Sequence, residues 1–207
     1  MKLEQVFKQL FSNYTHDLVL VESEWLRLEK NYSGSNRYYH GLGHLKHIWS
    51  ELNRIKDKIK NWNAILFSMF YHDIIYKAYK KNNEEASADY VREVMESLSI
   101  SEKEITLCYQ QILATKSHLK STDSDTNFFI DADLAILGAS WEVYHNYTLQ
   151  VRKEYSIYPD VLYKPGRRKV LQHFLQQEEI FKTTYFRERY EIIARKNIRN
   201  ELSILSG

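Results

Sequence analysis

Apolar residues recur at intervals of three and four along most of this chain, which is the period of an α-helix. The first two such stripes lie within residues 3–11 and 18–28. A third stripe follows a glycine-containing segment, because Gly41 and Gly43 delay helix formation until about His44. The apolar members of this third stripe are Ile48, Leu52, Ile55 and Ile59. The beginning of the chain is therefore predicted to form amphipathic helices, with His44 in the first turn of the third.

The nearly continuous apolar run over residues 64–76 has a different character. Its length of about three helical turns, without neighbouring strand patterns, favours a buried helix over a buried strand. The run carries His72 and the ionisable Asp73 towards the interior. A carboxylate there must be paired or bound to a cation, because an isolated charge in a low dielectric is prohibitively costly. The pair therefore indicates either a buried hydrogen bond between neighbours or a metal site.

Two helix-start signals follow in the middle of the chain. Asn82 precedes Glu85 by three residues, which is a cap-like arrangement that opens a helix ending near residue 98. Ser101 and Glu104 form a capping box, which predicts a second helix with His118 at its C-terminal end.

The last third of the chain is predicted to be helical as well. Residues 120–127 are polar and predict a loop, after which Asp131 and Asp133 precede one long helix over residues 134–155. Pro165 suits the first position of the following helix, and an apolar stripe near the C-terminus predicts a last one. The predicted fold class is all-α.

Composition agrees with this interpretation. A chain of 207 residues with 43% hydrophobic residues can bury one core, and only 6 Gly and 2 Pro favour long helices in a single-domain bundle. A net charge of +2, with both signs interspersed, makes nucleic acid an unlikely partner. The single cysteine, Cys108, fits a reducing compartment. No apolar run approaches a membrane span, and Glu4 interrupts any signal-peptide core, so a cytoplasmic protein without a membrane partner is expected.

Four motifs occur in a fixed order along the chain. They are Tyr39-His40-x-x-x-His44, Phe70-Tyr71-His72-Asp73-Ile74-Ile75-Tyr76, Asn83-Glu84-x-x-Ser87-Ala88 and Asp131-Ala132-Asp133-Leu134-Ala135-Ile136-Leu137-Gly138. In this order they resemble the predicted metal-dependent phosphohydrolases of the HD superfamily, from about residue 37 to the end. The resemblance implies a single helical bundle of the HD-domain type over residues 1–207.

The resemblance also implies a set of metal ligands, namely His44, His72, Asp73 and Asp133. From the residues alone, Asp131 and Asp133 are both expected at or just before a helix start, where each carboxylate has an ordinary role as a cap. One of them is therefore expected to cap while the other binds the ion. The Ala-Asp-Leu context of the family selects Asp133 as the ligand.

Three further residues receive catalytic roles with ordinary alternatives. Glu84 is the candidate general base, although a glutamate in a first helical turn also interacts with the helix dipole. His118 is expected to contact a phosphate oxygen or a second metal ion, or else simply to lie at a helix C-terminus. His40 is expected to face the substrate or to orient a ligand. Glu85 is expected to be structural.

The chemistry of such a site is hydrolysis assisted by a divalent metal ion. Mixed nitrogen and oxygen donors suit manganese, iron, cobalt, nickel or zinc better than magnesium. Analogy with the superfamily supplies the substrate, a phosphomonoester or phosphodiester of a nucleotide or related small molecule. The alternatives are a helical module that binds a phosphorylated ligand without turnover, and an iron-dependent oxygenase. The sequence leaves the oligomeric state open.

Overall fold

The computed structural model describes residues 2–206, and within them it contains ten α-helices and no strand. The helices are α1 (Leu3–Phe11), α2 (Leu18–Tyr32), α3 (Leu42–Asn53), α4 (Trp62–Tyr71), α5 (Asn83–Ser97), α6 (Glu102–Ala114), α7 (Ser124–Leu134), α8 (Trp141–Glu154), α9 (Asp160–Gln176) and α10 (Thr184–Ile204). Short 3₁₀ turns lie at Lys56–Lys58 and Ala135–Gly138. The prediction of an all-α fold is confirmed.

Helix α4 lies at the centre of the core. Every residue from Ala64 to Tyr71 is buried, and α4 packs against α1, α3, α5, α6 and α7. A helix that is apolar on every side has to be surrounded by others in this way. It spans only 10 residues, and no helix between residues 2 and 206 is both long and apolar enough to cross a membrane. The chain leaves the core at His72, immediately after α4 ends.

Several predicted helix starts are confirmed. Helix α3 begins at Leu42, and the His44 N–H donates to the Gly41 carbonyl over 3.0 Å, so His44 lies in the first turn. Ser101 is the N-cap of α6: its hydroxyl accepts a hydrogen bond from the Glu104 N–H over 3.4 Å and donates to the Glu104 carboxylate over 2.8 Å. These starts are set by contacts within one turn, which is why the sequence predicts them.

The prediction was wrong for the helix around Asp131 and Asp133. Both aspartates lie in the last turns of α7 rather than ahead of a helix. The polar segment predicted as a loop contains the helix start, because the Asp123 carboxylate accepts a hydrogen bond from the Thr126 N–H over 2.7 Å. An N-cap aspartate can begin a helix whose first turn is polar.

The predicted long helix over residues 134–155 is interrupted. A 3₁₀ turn occupies Ala135–Gly138, and α8 begins only at Trp141. A Cβ atom at Gly138 would overlap the side chain of Tyr190, so α10 packs directly on the backbone of this turn. The apolar pattern continues through the interruption because both the turn and α8 face the core.

The prediction for Pro165 was also wrong. Helix α9 begins at Asp160, which places Pro165 inside the helix rather than at its first position. Pro159 precedes the first residue of the helix instead. Helix α9 packs mainly against α10, and only Tyr163, Leu171 and Phe174 of its 17 residues are buried.

Candidate metal centre

Three helix ends meet beside the core and bring together side chains that are far apart in sequence. His44 comes from the first turn of α3, His72 follows the last residue of α4, and Asp133 lies in the last turn of α7. One ligand atom from each of these residues lies within 4.8 Å of the others. Helices α3, α4 and α7 pack against each other in pairs, which fixes this arrangement. The group could hold a metal ion.

The distances between these donor atoms fit a shared ion. The His44 and His72 Nε2 atoms are 3.2 Å apart, and His44 Nε2 is 3.1 Å from Asp133 Oδ1. The Asp73 carboxylate approaches the same point, with Oδ2 3.0 Å from His72 Nε2 and 3.9 Å from His44 Nε2. Two donors bound about 2.1 Å from one ion lie about 3.0 Å apart at a right angle and about 4.2 Å apart when opposite. The observed separations fall between those limits.

The orientation of His72 also suits a metal ligand. Its Nδ1 lies 3.0 Å from the Met69 carbonyl, to which an Nδ1–H would donate, leaving the Nε2 lone pair for an ion. Burial opposes a charge on this imidazole, but the neighbouring carboxylates of Asp73 and Asp133 outweigh it and raise the pKa of His72 to about 9. Without a cation, a proton therefore occupies the imidazole near neutral pH. An arriving cation would replace that proton.

The other three side chains are in the ionisation states that a divalent cation requires. Burial lowers the pKa of His44, so its imidazole is neutral. Burial would raise the pKa of both carboxyls. Nevertheless, His118 and His44 hold the pKa of Asp133 well below its usual range, and His72 does the same for Asp73. Two carboxylates among buried imidazoles form a donor set that a divalent ion neutralises.

The backbone of Asp73 is held in place by residues that sequence reasoning missed. Its N–H donates to the Tyr32 hydroxyl over 3.1 Å. The Arg37 guanidinium donates to the carbonyls of Asp73, Ile74 and His40 over 2.6, 3.1 and 3.0 Å. One arginine therefore ties the segment after α4 to the segment before α3. Nothing in the local sequence distinguishes Arg37 from a solvated loop residue.

Asp131 lies two residues from Asp133, but its carboxylate contacts the segment before α10 instead of the candidate metal ligands. Its carboxylate accepts hydrogen bonds from the Lys182 N–H, the Thr183 N–H and the Thr183 hydroxyl over 2.7, 2.7 and 2.6 Å. Burial raises the pKa of Asp131 to about 6. The expected capping role was wrong, because Asp131 lies near the C-terminal end of α7 and its carboxylate binds the backbone just before α10 instead.

His40 is held by a buried carboxylate, Glu154, which the sequence analysis did not select. His40 Nδ1 lies 2.6 Å from Glu154 Oε2, and the backbone N–H groups of Tyr39 and His40 donate to Glu154 Oε1 over 2.7 and 2.9 Å. The Tyr76 hydroxyl also donates to Glu154, and its ring stacks on His40. Burial opposes the charged form, but Glu154 raises the pKa of His40. The sequence signal that could have identified Glu154 is its place next to the apolar face of α8, where a carboxylate needs a partner.

His118 and Glu84 occupy different places around the centre. His118 Nε2 lies 3.1 Å from Asp133 Oδ2, so the imidazole faces the outer oxygen of this carboxylate. Glu84 lines the adjoining cleft, and its carboxylate has no hydrogen-bond partner within the described residues 2–206. Glu85 forms an ion pair with Lys116 instead. This contact agrees with the structural role expected for Glu85.

A cleft of about 880 Å³ adjoins the centre. Asp133, His118 and His40 line it near the centre, and Tyr155, Tyr163 and Phe174 line it on the side of α8 and α9. The volume lies within the range of small-molecule sites, which are clefts with apolar walls and a few convergent polar groups. A small molecule in this cleft would lie next to the candidate ligands.

Comparison with protein-family models, curated proteins and solved structures gives no match to this chain. A functional conclusion therefore depends on the geometry of the centre and of its cleft.

Proposed function

We propose that this protein is a metal-dependent phosphohydrolase of the HD type that acts on a phosphomonoester or phosphodiester. The observation that carries the proposal is the convergence of His44, His72 and Asp133, with the Asp73 carboxylate beside them, at one end of a ligand-sized cleft. The four residues that resemble the ligand set of the superfamily thus occupy one small region, although they come from α3, from the segment after α4 and from α7.

A divalent ion bound by these four residues would act as a Lewis acid and would bring the pKa of a bound water towards neutrality. Manganese, iron, cobalt, nickel and zinc suit the two imidazoles and two carboxylates better than magnesium does. The helix ends hold these ligands in place before an ion arrives, which supports the proposal.

Residues around the ion perform the proton transfers and the positioning. The Glu84 carboxylate lines the cleft without a partner and accepts a proton from the attacking water. His118 contacts Asp133 Oδ2 and keeps this carboxylate oriented towards His44. His40, fixed by Glu154 and Tyr76, presents its ring to the cleft as a contact for a phosphate oxygen.

The substrate class is a small phosphorylated molecule, such as a nucleotide. The cleft volume of about 880 Å³ accommodates such a molecule, and its tyrosine-rich wall offers flat surfaces for a planar group. The resemblance to the superfamily supports hydrolysis of phosphoesters over other reactions of a metal ion.

The test combines metal analysis with a panel of nucleotides and phosphoesters assayed with added manganese. In the active wild type, Glu84→Gln should lower turnover by ~100-fold or more while ligand affinity survives, because the amide cannot accept the proton. Glu85→Gln is the matched control, since its carboxylate pairs with Lys116, and its turnover should stay within about twofold.

Each other result would revise the proposal in a defined way. Ligand binding without turnover in the metal-loaded wild type would contradict catalysis and leave a binding module. Oxygen consumption by the iron-loaded protein, without phosphoester hydrolysis, would replace a hydrolase with an oxygenase. Turnover that is unchanged in Glu84→Gln would remove Glu84 from the mechanism.

A further inference from the structure

Arg167 is a nearly buried arginine on the cleft wall formed by α9. Only 9% of its side chain is exposed, although it lines the cleft. Its Nε donates to Glu201 Oε1 over 2.7 Å and its Nη2 donates to Glu201 Oε2 over 3.0 Å. Nη2 also donates to the Tyr147 hydroxyl over 3.3 Å, and the guanidinium lies over the Tyr147 ring. These contacts fix the plane of the guanidinium.

One edge of this guanidinium is left without a partner. No hydrogen bond within residues 2–206 involves Arg167 Nη1, and this atom is not among the fully buried polar atoms that lack partners. Its N–H groups therefore reach open space, and the open space next to Arg167 is the cleft. The Nη1 group is preoriented and carries part of the positive charge, so its N–H groups can each donate to an oxygen of a phosphate, sulfate or carboxylate.

A purely structural tie between α9 and α10 explains these contacts less well. A buried ion pair contributes little more to stability than apolar side chains of the same volume would. Glu201 is held from a second side, because it also accepts a hydrogen bond from the Tyr144 hydroxyl. Glu201 therefore holds the guanidinium rigidly, while the Nη1 group stays free to donate. A fixed cation with free donors is suited to binding an anion.

The charges around the cleft favour an anion on this wall. Lys169 and Arg167 both line the cleft from α9, and Lys116, which also lines it, is paired with Glu85. The acidic side chains that line the cleft are Glu84 and the candidate ligand Asp133. Glu201 compensates the charge of Arg167, but no carboxylate of α9 lines this wall and no ion pair within residues 2–206 involves Lys169, so the wall can accept an anion.

Arg167 is separated from the candidate metal ligands by two aromatic rings. The Tyr39 ring packs on His44 with centroids 4.8 Å apart, and the Tyr147 ring packs on Tyr39 with centroids 4.6 Å apart. Arg167 lies beyond Tyr147, with its Cζ 5.3 Å from the centroid of that ring. An anion on the Nη1 edge is therefore a different group from one bound at the metal centre.

We propose that Arg167 anchors a second anionic group of the molecule that occupies the cleft. This inference rests on the proposed function for the identity of the first group, the reactive phosphate. The substrate class narrows to molecules with a further phosphate, sulfate or carboxylate beyond the reactive ester. The part between the two anions would lie along the tyrosine side chains of the wall.

Sulfate binding to the metal-free protein tests the anchor without any assay of hydrolysis. Isothermal titration calorimetry in buffer with a chelator should detect sulfate in the wild type, with affinity reduced ~10-fold or more in Arg167→Met. Arg167→Lys keeps the charge but not the fork, so its affinity should fall between the two. Arg168→Met, which removes a neighbouring charge on α9 that contacts Ser206 and does not line the cleft, is the matched control and should stay within about twofold of wild type.

Two further variants separate binding from folding. Arg167→Met leaves Glu201 buried without its partner, so Arg167→Met/Glu201→Gln removes both charges and should show the same loss of sulfate binding with a cooperative melting transition. His44→Ala should keep the sulfate affinity within about twofold, because the anchor lies away from the metal centre. Undetectable sulfate binding in the wild type, or equal affinity in wild type and the folded double variant, would overturn the proposal. A loss in His44→Ala would assign the anion to the metal centre.

Discussion

The two ends of the cleft are built in different ways. At the inner end, His44, His72 and Asp133 project from the ends of three helices that are packed together in the core. At the outer end, α9 exposes most of its surface, and Leu162 lines the cleft while 60% exposed. Most substitutions at the inner end would therefore displace the candidate ligands or disturb the core. Substitutions at the outer end would change the stability of the protein little.

This difference suggests a division of labour under the proposed function. Chemistry at a metal ion requires ligands placed within about half an ångström, which only a rigid surrounding supplies. Recognition of the remainder of a substrate needs mainly apolar contact and a few fixed polar groups, such as Arg167. We expect substitutions at the inner end to affect turnover and metal affinity, and substitutions at the outer wall to affect KM.

The largest effect is expected for Asp73→Asn at the inner end. The amide keeps the size of the side chain but removes a ligand charge, so metal affinity should fall by ~100-fold or more and turnover should be lost. Metal content and steady-state rates measure these losses, and circular dichroism should show unchanged helicity. Asp57→Asn, at an exposed position, is the control. Wild-type metal content and turnover in Asp73→Asn would remove Asp73 from the centre.

Asp131 and Asp133 offer the sharpest internal contrast. Asp133→Ala should lose bound metal, because it removes a ligand of the candidate centre. Asp131→Ala should keep the metal and lose about 2–4 kcal/mol of stability, because one buried and two partly buried donors just before α10 lose their acceptor. Urea denaturation of the metal-free proteins and metal analysis compare the two. The opposite pattern would transfer the ligand role to Asp131.

A pH series tests whether His72 is a metal ligand. Because its pKa is about 9 in the metal-free protein, a metal ion must displace its proton at lower pH. Metal affinity should therefore rise ~10-fold per pH unit between about pH 7 and 9 and then level off. The stability of the metal-free protein should change in the opposite direction, since the raised pKa stabilises the fold below about pH 6.5 and this stabilisation is lost towards pH 9.

Proton release on addition of manganese in weak buffer gives an independent measurement of the same linkage. About one proton per ion should be released near pH 7.5, when most His72 side chains are charged. Metal binding without proton release would show that the ion leaves His72 protonated and so binds elsewhere.

The smallest effect is expected at the outer wall. Leu162→Ala removes apolar contact from an exposed residue that lines the cleft, so KM for a substrate found in the panel should rise about two- to fivefold with kcat unchanged. Steady-state kinetics on both proteins would measure it, with Val161→Ala, also exposed on α9 but not lining the cleft, as the control. A large fall in kcat would show that the outer wall participates in the chemistry and would remove the contrast between the two ends.

The sequence by itself determined much of the fold and part of the candidate site. The helical period, the capping box at Ser101 and the glycines before His44 act within one or two turns, so they can be recognised locally. The apolar run of α4 likewise predicted that His72 and Asp73 would be carried towards the interior. Each of these features depends on neighbours in the chain.

Only the tertiary structure decided how distant residues are paired. Asp131 and Asp133 are identical in type and two residues apart, and the packing of α7 directs one to α10 and the other to His44. Glu154, Arg37 and Arg167 each have at least one partner that is 34 or more residues away, such as Glu201 for Arg167. A single sequence shows which groups need a partner, because buried charges must be compensated. The packing of the helices determines which partner each one meets.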